Sequence, residues 1–367
     1  MKTIRTLVAA TLLLPLAALA QTPAAPEPPK PPPWYSTVTF GGFVDAFYQA
    51  RLDAAQDAPI AQRAFDAATG FNLGDAVLSA NMPPAPAGFH VDLQFGNTAT
   101  AIDNVAAFWA GTPTATPTLA KHILQAYAAL KLGKAELHVG RFVTASSAEV
   151  VPAKDNWLYS RSFLYNLVPV GHTGAHLVYP VSDTLSLRVG VCNGWDVVST
   201  GFAGKTGEAQ LAYSGPSNTT LSLTSYFGPN PALWSGAPNT ASAWRTLVDV
   251  VAGTTVGPLG LLANFDWATE AADAWFGGSL AARYSLAGDV ARVTVRGEYV
   301  KDYNGARFGT GVDTNAYEGT VGLSFPVGSN SELRVEGRYD KASKDAFNKG
   351  VPTDRQITGT VAALAWF

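Results

Sequence analysis

Arg355-Gln-Ile-Thr-Gly-Thr-Val-Ala-Ala-Leu-Ala-Trp-Phe367 decides the fold of this chain. Counting back in twos from the end gives Phe367, Ala365, Ala363, Val361, Gly359 and Ile357. The other parity carries Gln356, Thr358 and Thr360. Alternation with period 2 marks a strand with two unlike faces. One face is apolar and ends on an aromatic carboxyl terminus; the other is small or polar over most of its length. A closing strand of this kind recasts every earlier alternating segment, with apolar faces toward lipid and polar faces toward a lumen.

No stretch of roughly 18 uninterrupted apolar residues occurs, so no helical span is expected. The remaining way through a bilayer is a closed barrel, in which every backbone polar group is satisfied between strands. The first twenty residues read as an export signal. Lys2 and Arg5 supply the positive start, Leu7 to Leu19 the apolar run, and Ala18-Leu19-Ala20 the cleavage site. The mature chain is then expected to begin at Gln21. Residues 21–36 follow as a leader, and Thr22 to Pro33 is so rich in proline that a polyproline II spacer is expected. Residues 37–367 are left for the barrel.

Composition agrees. Charged residues make up only 14%, with 35 Gly and 2 Met. Without Lys2 and Arg5 the chain has 23 basic and 28 acidic side chains, and no basic block that would suit nucleic acid. A single cysteine, Cys192, leaves no intrachain disulfide and reads as a small strand residue. No phosphate-binding glycine motif or acidic calcium loop is present. His172 and His176 are four apart, which in a strand places them on one face rather than as a helical ligand pair. Ser and His are not linked by any local signature. Neither a cofactor, a metal nor an enzymatic activity is therefore expected.

The all-β reading is an up-and-down antiparallel transmembrane barrel of about 16 strands, with 14 or 18 as alternatives. The strands are expected at 37–49, 71–81, 87–96, 122–132, 134–142, 172–180, 183–193, 206–214, 218–227, 244–253, 257–267, 274–287, 289–301, 315–327, 330–341 and 355–367. Short Gly-, Pro- and Ser-rich turns follow the even-numbered strands. Long loops follow the odd-numbered ones, with a shorter one at 268–273. This alternation is what tight periplasmic turns and long outer loops produce. Aromatics fall near strand ends as two bands. Tyr48, Phe71, Phe95, Trp244, Trp267, Trp275 and Tyr339 lie toward the long loops; Phe40, Phe89, Tyr213, Tyr284, Phe325 and Trp366 lie toward the short turns.

The inner wall is most legible at 330–341. Leu333, Val335, Gly337 and Tyr339 share one face, and Glu332, Arg334, Glu336, Arg338 and Asp340 the other. A charge on the lipid face costs about 2–4 kcal/mol at mid-membrane, so the charged face is expected to point inward. The same logic turns Arg292, Arg296 and Glu298 inward, along with Arg188, Arg283, His90, Asp92 and Gln94. Ion pairs among these groups are expected to stiffen the wall and keep it wetted. A subset of the arginines facing acidic groups across the pore would set up a transverse field. The longest loop, 143–171, carries Glu149, Asp155 and Arg161 and exceeds what a connection needs. It is expected either to fold inward and set the pore size or to pack over the rim or a neighbouring subunit.

Tyr159-Ser160-Arg161-Ser162, His172-Thr173-Gly174, Asn193-Gly194-Trp195-Asp196 and Arg334-Val335-Glu336-Gly337-Arg338-Tyr339-Asp340 occur in an order and spacing that resemble the outer-membrane β-barrel porin type 2 family, OmpL-like. The resemblance covers about residues 37–367. The chain departs from it at Ala145-Ser-Ser-Ala-Glu149, where the family pattern has a glycine shortly before the glutamate. The resemblance implies a porin of the bacterial outer membrane, passing small hydrophilic solutes and ions, and it assigns no functional residues. A plugged barrel that binds a partner through its outer loops is the alternative. Outer-membrane lipid and, through Phe367, the barrel-assembly machinery are the expected partners. The sequence leaves monomer and homotrimer both open.

Overall fold

The computed structural model describes residues 33–55, 58, 60–102, 122–198, 204–231, 242–348 and 350–367. The export signal and most of the leader lie outside the described residues, as do parts of five outer loops. Sixteen strands form one closed antiparallel barrel. They are β1 (Thr39–Arg51), β2 (Gly70–Met82), β3 (Ala87–Phe95), β4 (Ile123–Leu132), β5 (Ala135–Val143), β6 (Gly171–Pro180), β7 (Leu185–Cys192) and β8 (Thr206–Ser214), followed by β9 (Thr220–Pro231), β10 (Ser242–Val256), β11 (Leu259–Glu270), β12 (Asp273–Ser285), β13 (Arg292–Tyr303), β14 (Thr314–Pro326), β15 (Ser331–Ala342) and β18 (Arg355–Trp366). A small hairpin, β16 (Phe347–Asn348) and β17 (Pro352–Thr353), sits in the last outer loop and has no counterpart in the expected strand set.

Each strand pairs with its sequence neighbour, and β18 pairs with both β15 and β1. Closure runs from Phe43 opposite Trp366 to Arg51 opposite Thr358. Phe367 N donates to Gly42 O at 3.0 Å, so the last residue completes the seam. With no free edge, the backbone donors and acceptors of the wall are consumed within the sheet, as a bilayer interior requires.

The alternation read from the sequence fixes which side chains face out. In β15, Leu333, Val335, Gly337 and Tyr339 are exposed, while Glu332, Arg334, Glu336, Arg338 and Asp340 are buried inside. In β18, Gln356, Thr358 and Thr360 point inward, while Val361 and Ala363 face out. Substituting Val295, an exposed outer residue of β13, by arginine should lower stability in lipid vesicles by about 2–4 kcal/mol. Denaturant unfolding of the vesicle-inserted barrel measures this, and an unchanged midpoint would mean that lipid does not contact that face.

Three expectations change. Trp275 is not part of a lipid-facing band. It is fully buried in the barrel, edge-on to Trp195 with ring centroids 6.4 Å apart and with the Arg307 guanidinium 3.7 Å from its ring centroid. The connection between β11 and β12 is only Ala271-Ala272, so one outer connection is as tight as a periplasmic turn. The charged row on β15 is not wetted; inward-folded chain keeps it dry. The apolar core accordingly lies inside the barrel, between loops and wall. Phe163, Leu164, Val300 and Phe308 form one such cluster, and Val168, Trp195, Tyr226 and Leu247 another.

Candidate functional site

The segment between β5 and β6, residues 144–170, folds into the lumen and is held by the wall along most of its length. Its first limb rests on β8 to β11. Gln210 Nε2 donates to Ala145 O at 2.9 Å, and Ala145 N donates to the Tyr226 hydroxyl at 2.9 Å. Ser147 N donates to Asp249 at 3.0 Å, and Ala148 N to Asn264 Oδ1 at 3.0 Å. The middle limb then crosses to β13, β15 and β1. Arg296 holds Glu149 at 2.5 Å and Ser160 O at 2.8 Å. Glu336 accepts Tyr159 N at 2.8 Å, together with the amide and hydroxyl of Ser160. Arg334 donates to Ala153 O at 2.8 Å, and Arg338 to Arg161 O. Glu298 accepts the amides of Phe163 and Leu164 at 2.7 and 2.6 Å. The Tyr159 hydroxyl donates to Asp45 on β1 at 2.6 Å.

These contacts have a common cause. An irregular segment inside a barrel cannot pair its backbone with itself, and an unpaired buried amide or carbonyl is costly. The inward carboxylates and guanidiniums supply the missing partners. The wall also yields space. A Cβ at Gly322 would stand 2.5 Å from Leu158, one at Gly277 2.8 Å from Leu164, one at Gly260 3.0 Å from Trp157, and one at Gly74 2.3 Å from the Tyr159 hydroxyl. Four wall glycines thus seat four side chains of the inward segment. Its return to β6 is pinned by Asp196, in the loop after β7, which accepts Val170 N at 2.7 Å and Gly171 N at 2.9 Å. Burial pushes the Asp196 carboxyl up to about 6.

The residues singled out in the sequence fall into three settings. Arg296, Glu298, Arg334, Glu336 and Arg338 all contact the inward segment. Asp340, on the same row, pairs with Arg338 at 2.7 Å and accepts Gln356 Nε2 at 2.7 Å. Arg188, Arg283 and Arg292 stay partly exposed in the lumen. Arg188 lies 3.6 Å from Glu208, Arg292 bridges Asp289 and Glu332, and Arg283 stacks on Trp157 at 4.6 Å. Of the loop residues, Glu149 meets the wall through Arg296. Arg161 is buried and holds the loop to itself through Tyr159 O at 2.7 Å and Val151 O. Asp155 is exposed and, among the described residues, pairs with Lys154 alone, at 2.8 Å.

The inner side chains differ in exposure. On β13 to β15 the Glu318, Arg338 and Asp340 side chains are at most 1% exposed. On β5 and β7, Glu136 and Arg188 keep 34% and 27%. In a ring of sixteen, β4 stands eight places from β12, so the Glu136 and Asp92 side faces the Arg283 and Arg292 side. A partly exposed stack of His90, Tyr127 and His138, with centroids 5.4 and 4.8 Å apart, lines the inner wall of β3 to β5. Among the described residues no group of three or more His, Cys, Asp or Glu is placed to hold a metal ion.

Residue order gives no anchoring role to groups that carry no charge run: Tyr226, Asp249 and Asn264 on the wall, and Trp157, Tyr159 and Ser160 in the loop. One signal was available. Gly260, Gly277 and Gly322 occupy inward positions on strands whose other inward residues are larger, and an isolated strand glycine marks close approach of other chain.

A closed sixteen-strand barrel, oily outside and charged inside, with one long loop folded into its lumen, defines an outer-membrane porin. The chain belongs to the family described as "Putative beta-barrel porin-2, OmpL-like", whose model matches residues 37–367. The outer membrane is its location. Among solved structures it is similar to the anion-selective porin from Comamonas acidovorans, with 13% identity, a TM-score of 0.61, and 90% of this chain and 99% of that one covered. It is similar to OprB of Pseudomonas putida, with 13% identity, a TM-score of 0.60, and coverage of 90% and 94%. OmpT of Vibrio cholerae in its trimer form aligns with 13% identity, a TM-score of 0.59, and coverage of 90% and 99%. At such identities the likeness is one of fold. No curated protein matches.

Proposed function

We propose that the barrel passes small hydrophilic solutes and ions by passive diffusion, and that the inward segment 144–170 sets the size limit. The supporting observation is the one-sided placement of that segment. It covers Glu318, Arg338 and Asp340 on β14 and β15 and leaves His90, Glu136, His138 and Arg188 on β3, β5 and β7 partly exposed to the lumen, which supports a path for water on that side. Sorting is by size and by the field between the Arg283 side and the Glu136 side, with no cofactor, catalysis or energy input. Liposome swelling tests this. Vesicles carrying the protein should swell in arabinose and not in raffinose; equal rates for both, or none for either, would contradict it.

The second reading is a plugged barrel that acts through its outer loops. The apolar clusters packed between loop and wall in the outer half of the lumen favour it. Swelling in arabinose excludes it. Export through a cleaved signal and assembly through Phe367 belong to the same proposal. The intact mass of the outer-membrane protein should correspond to a chain starting at Gln21, and a mass including Met1 would refute cleavage.

A further inference from the structure

The sequence places six arginines on the inner wall, and five of them are committed. Arg188 meets Glu208, Arg292 meets Asp289 and Glu332, Arg296 meets Glu149 and Glu318, Arg334 meets Glu332 and two loop carbonyls, and Arg338 meets Asp340 and the Arg161 carbonyl. Arg283 is different. Its guanidinium lies 4.6 Å from the Trp157 ring centroid, and it has no hydrogen bond or ion pair among the described residues. It is only half-buried, so its donors are open to the lumen.

The setting is built rather than incidental. Arg283 stands directly opposite Gly260 across β11 and β12. The bare backbone of Gly260 is where the Trp157 ring sits, 3.0 Å from where a Cβ would be. The ring is thereby wedged beside Arg283 and gives the guanidinium a flat support, a favourable cation–π arrangement. A guanidinium carries five donors in a planar fork that matches the two oxygens of a carboxylate or phosphate. The charges acting on it are Arg292, Arg334, Glu332 and Asp289. Both carboxylates are already held, Glu332 by Arg292 and Arg334 and Asp289 by Arg292. Three guanidiniums against two carboxylates leave one positive charge, located at the group without a partner.

We propose that Arg283, placed over the Trp157 ring beside Arg292 and Arg334, is an oxyanion-binding station in the lumen, taking the carboxylate or phosphate group of a small solute on its way through. This deepens the porin reading and rests on it. An anion held by one fork, with the support stacked behind it and the lumen in front, can leave as readily as it arrives, which passage requires.

Calorimetric titration of inorganic phosphate and, separately, of acetate into the full-length, detergent-solubilised protein tests the station. The wild type should bind at least one of them, and the tighter of the two names the source of the oxyanion. Arg283→Gln should weaken that binding by about tenfold or more, the loss expected of a charge-assisted fork. Arg283→Lys keeps the charge and the lumen packing but not the planar fork, and should weaken it as well. Wild-type protein that binds neither anion, or an Arg283→Lys variant that binds as tightly as wild type, would overturn the assignment. The two readings fail separately. A barrel that swells in arabinose but binds no oxyanion keeps the porin and loses the station. A barrel that binds phosphate through Arg283 but admits no sugar keeps the station and loses the porin.

Discussion

Excising Ser147 to Ser160 and joining the flanks with a short Gly-Ser linker should raise single-channel conductance by roughly twofold or more, because a sixteen-strand barrel without an inward segment encloses an open aqueous channel. The excised stretch carries the backbone groups that Asp249, Asn264, Arg334, Glu336 and Arg296 hold. Without it, water replaces those partners, so the wall charges become hydrated rather than orphaned. The barrel should therefore still fold, with its sheet intact by circular dichroism and a wider pore. The raffinose exclusion of the wild type should disappear with it. Conductance unchanged by the excision would mean that the narrowest passage is set elsewhere.

Removing Arg296 alone should have the opposite character, costing stability. Its guanidinium pairs with Glu149 at 2.5 Å and Glu318 at 3.0 Å and caps Ser160 O at 2.8 Å, all in a dry interior. Arg296→Met leaves the loop in place, takes the cation from Glu149 and leaves Glu318 only its longer 3.8 Å contact with Arg338. Breaking a buried pair in this way costs about 3–5 kcal/mol, because the stranded charge is the expensive part. Heat or urea unfolding of the detergent-solubilised barrel measures it. The exposed pair Lys154–Asp155 is the contrast, and Asp155→Asn should change stability by no more than about 1 kcal/mol. If Arg296→Met behaved like Asp155→Asn, the inner network would be solvated and the inward segment not docked.

The outside of this protein was far more legible in its sequence than the inside. Facing follows from a period of two and from the cost of a charge in lipid, so Leu333, Val335 and Tyr339 against Arg334, Glu336 and Arg338 could be assigned from residue order alone. Pairing followed too, because each strand joins its neighbour. The inside depends on contacts distant in sequence. Glu336 meets Tyr159 and Ser160, and Asp45 meets Tyr159, through a loop whose path no local pattern encodes. The charges of β15 are visible as an inward row, but whether water or protein covers them is decided by residues about 180 positions away. Trp275 shows the same limit. An aromatic near a strand end suits a membrane interface, yet its parity on β12 places it inside, where Trp195 and Arg307 cover it. In residue order Arg283 is one of six similar arginines, and only the seating of Trp157 on Gly260 sets it apart.

The most direct measurement is single-channel recording of the purified full-length protein in a planar bilayer. Discrete, stable steps of current, linear with voltage, are the result that the proposed diffusion path along the β3–β7 side of the lumen predicts. A bilayer that stays silent while the inserted protein is shown to be folded would contradict it, and would mean that the inward segment closes the barrel.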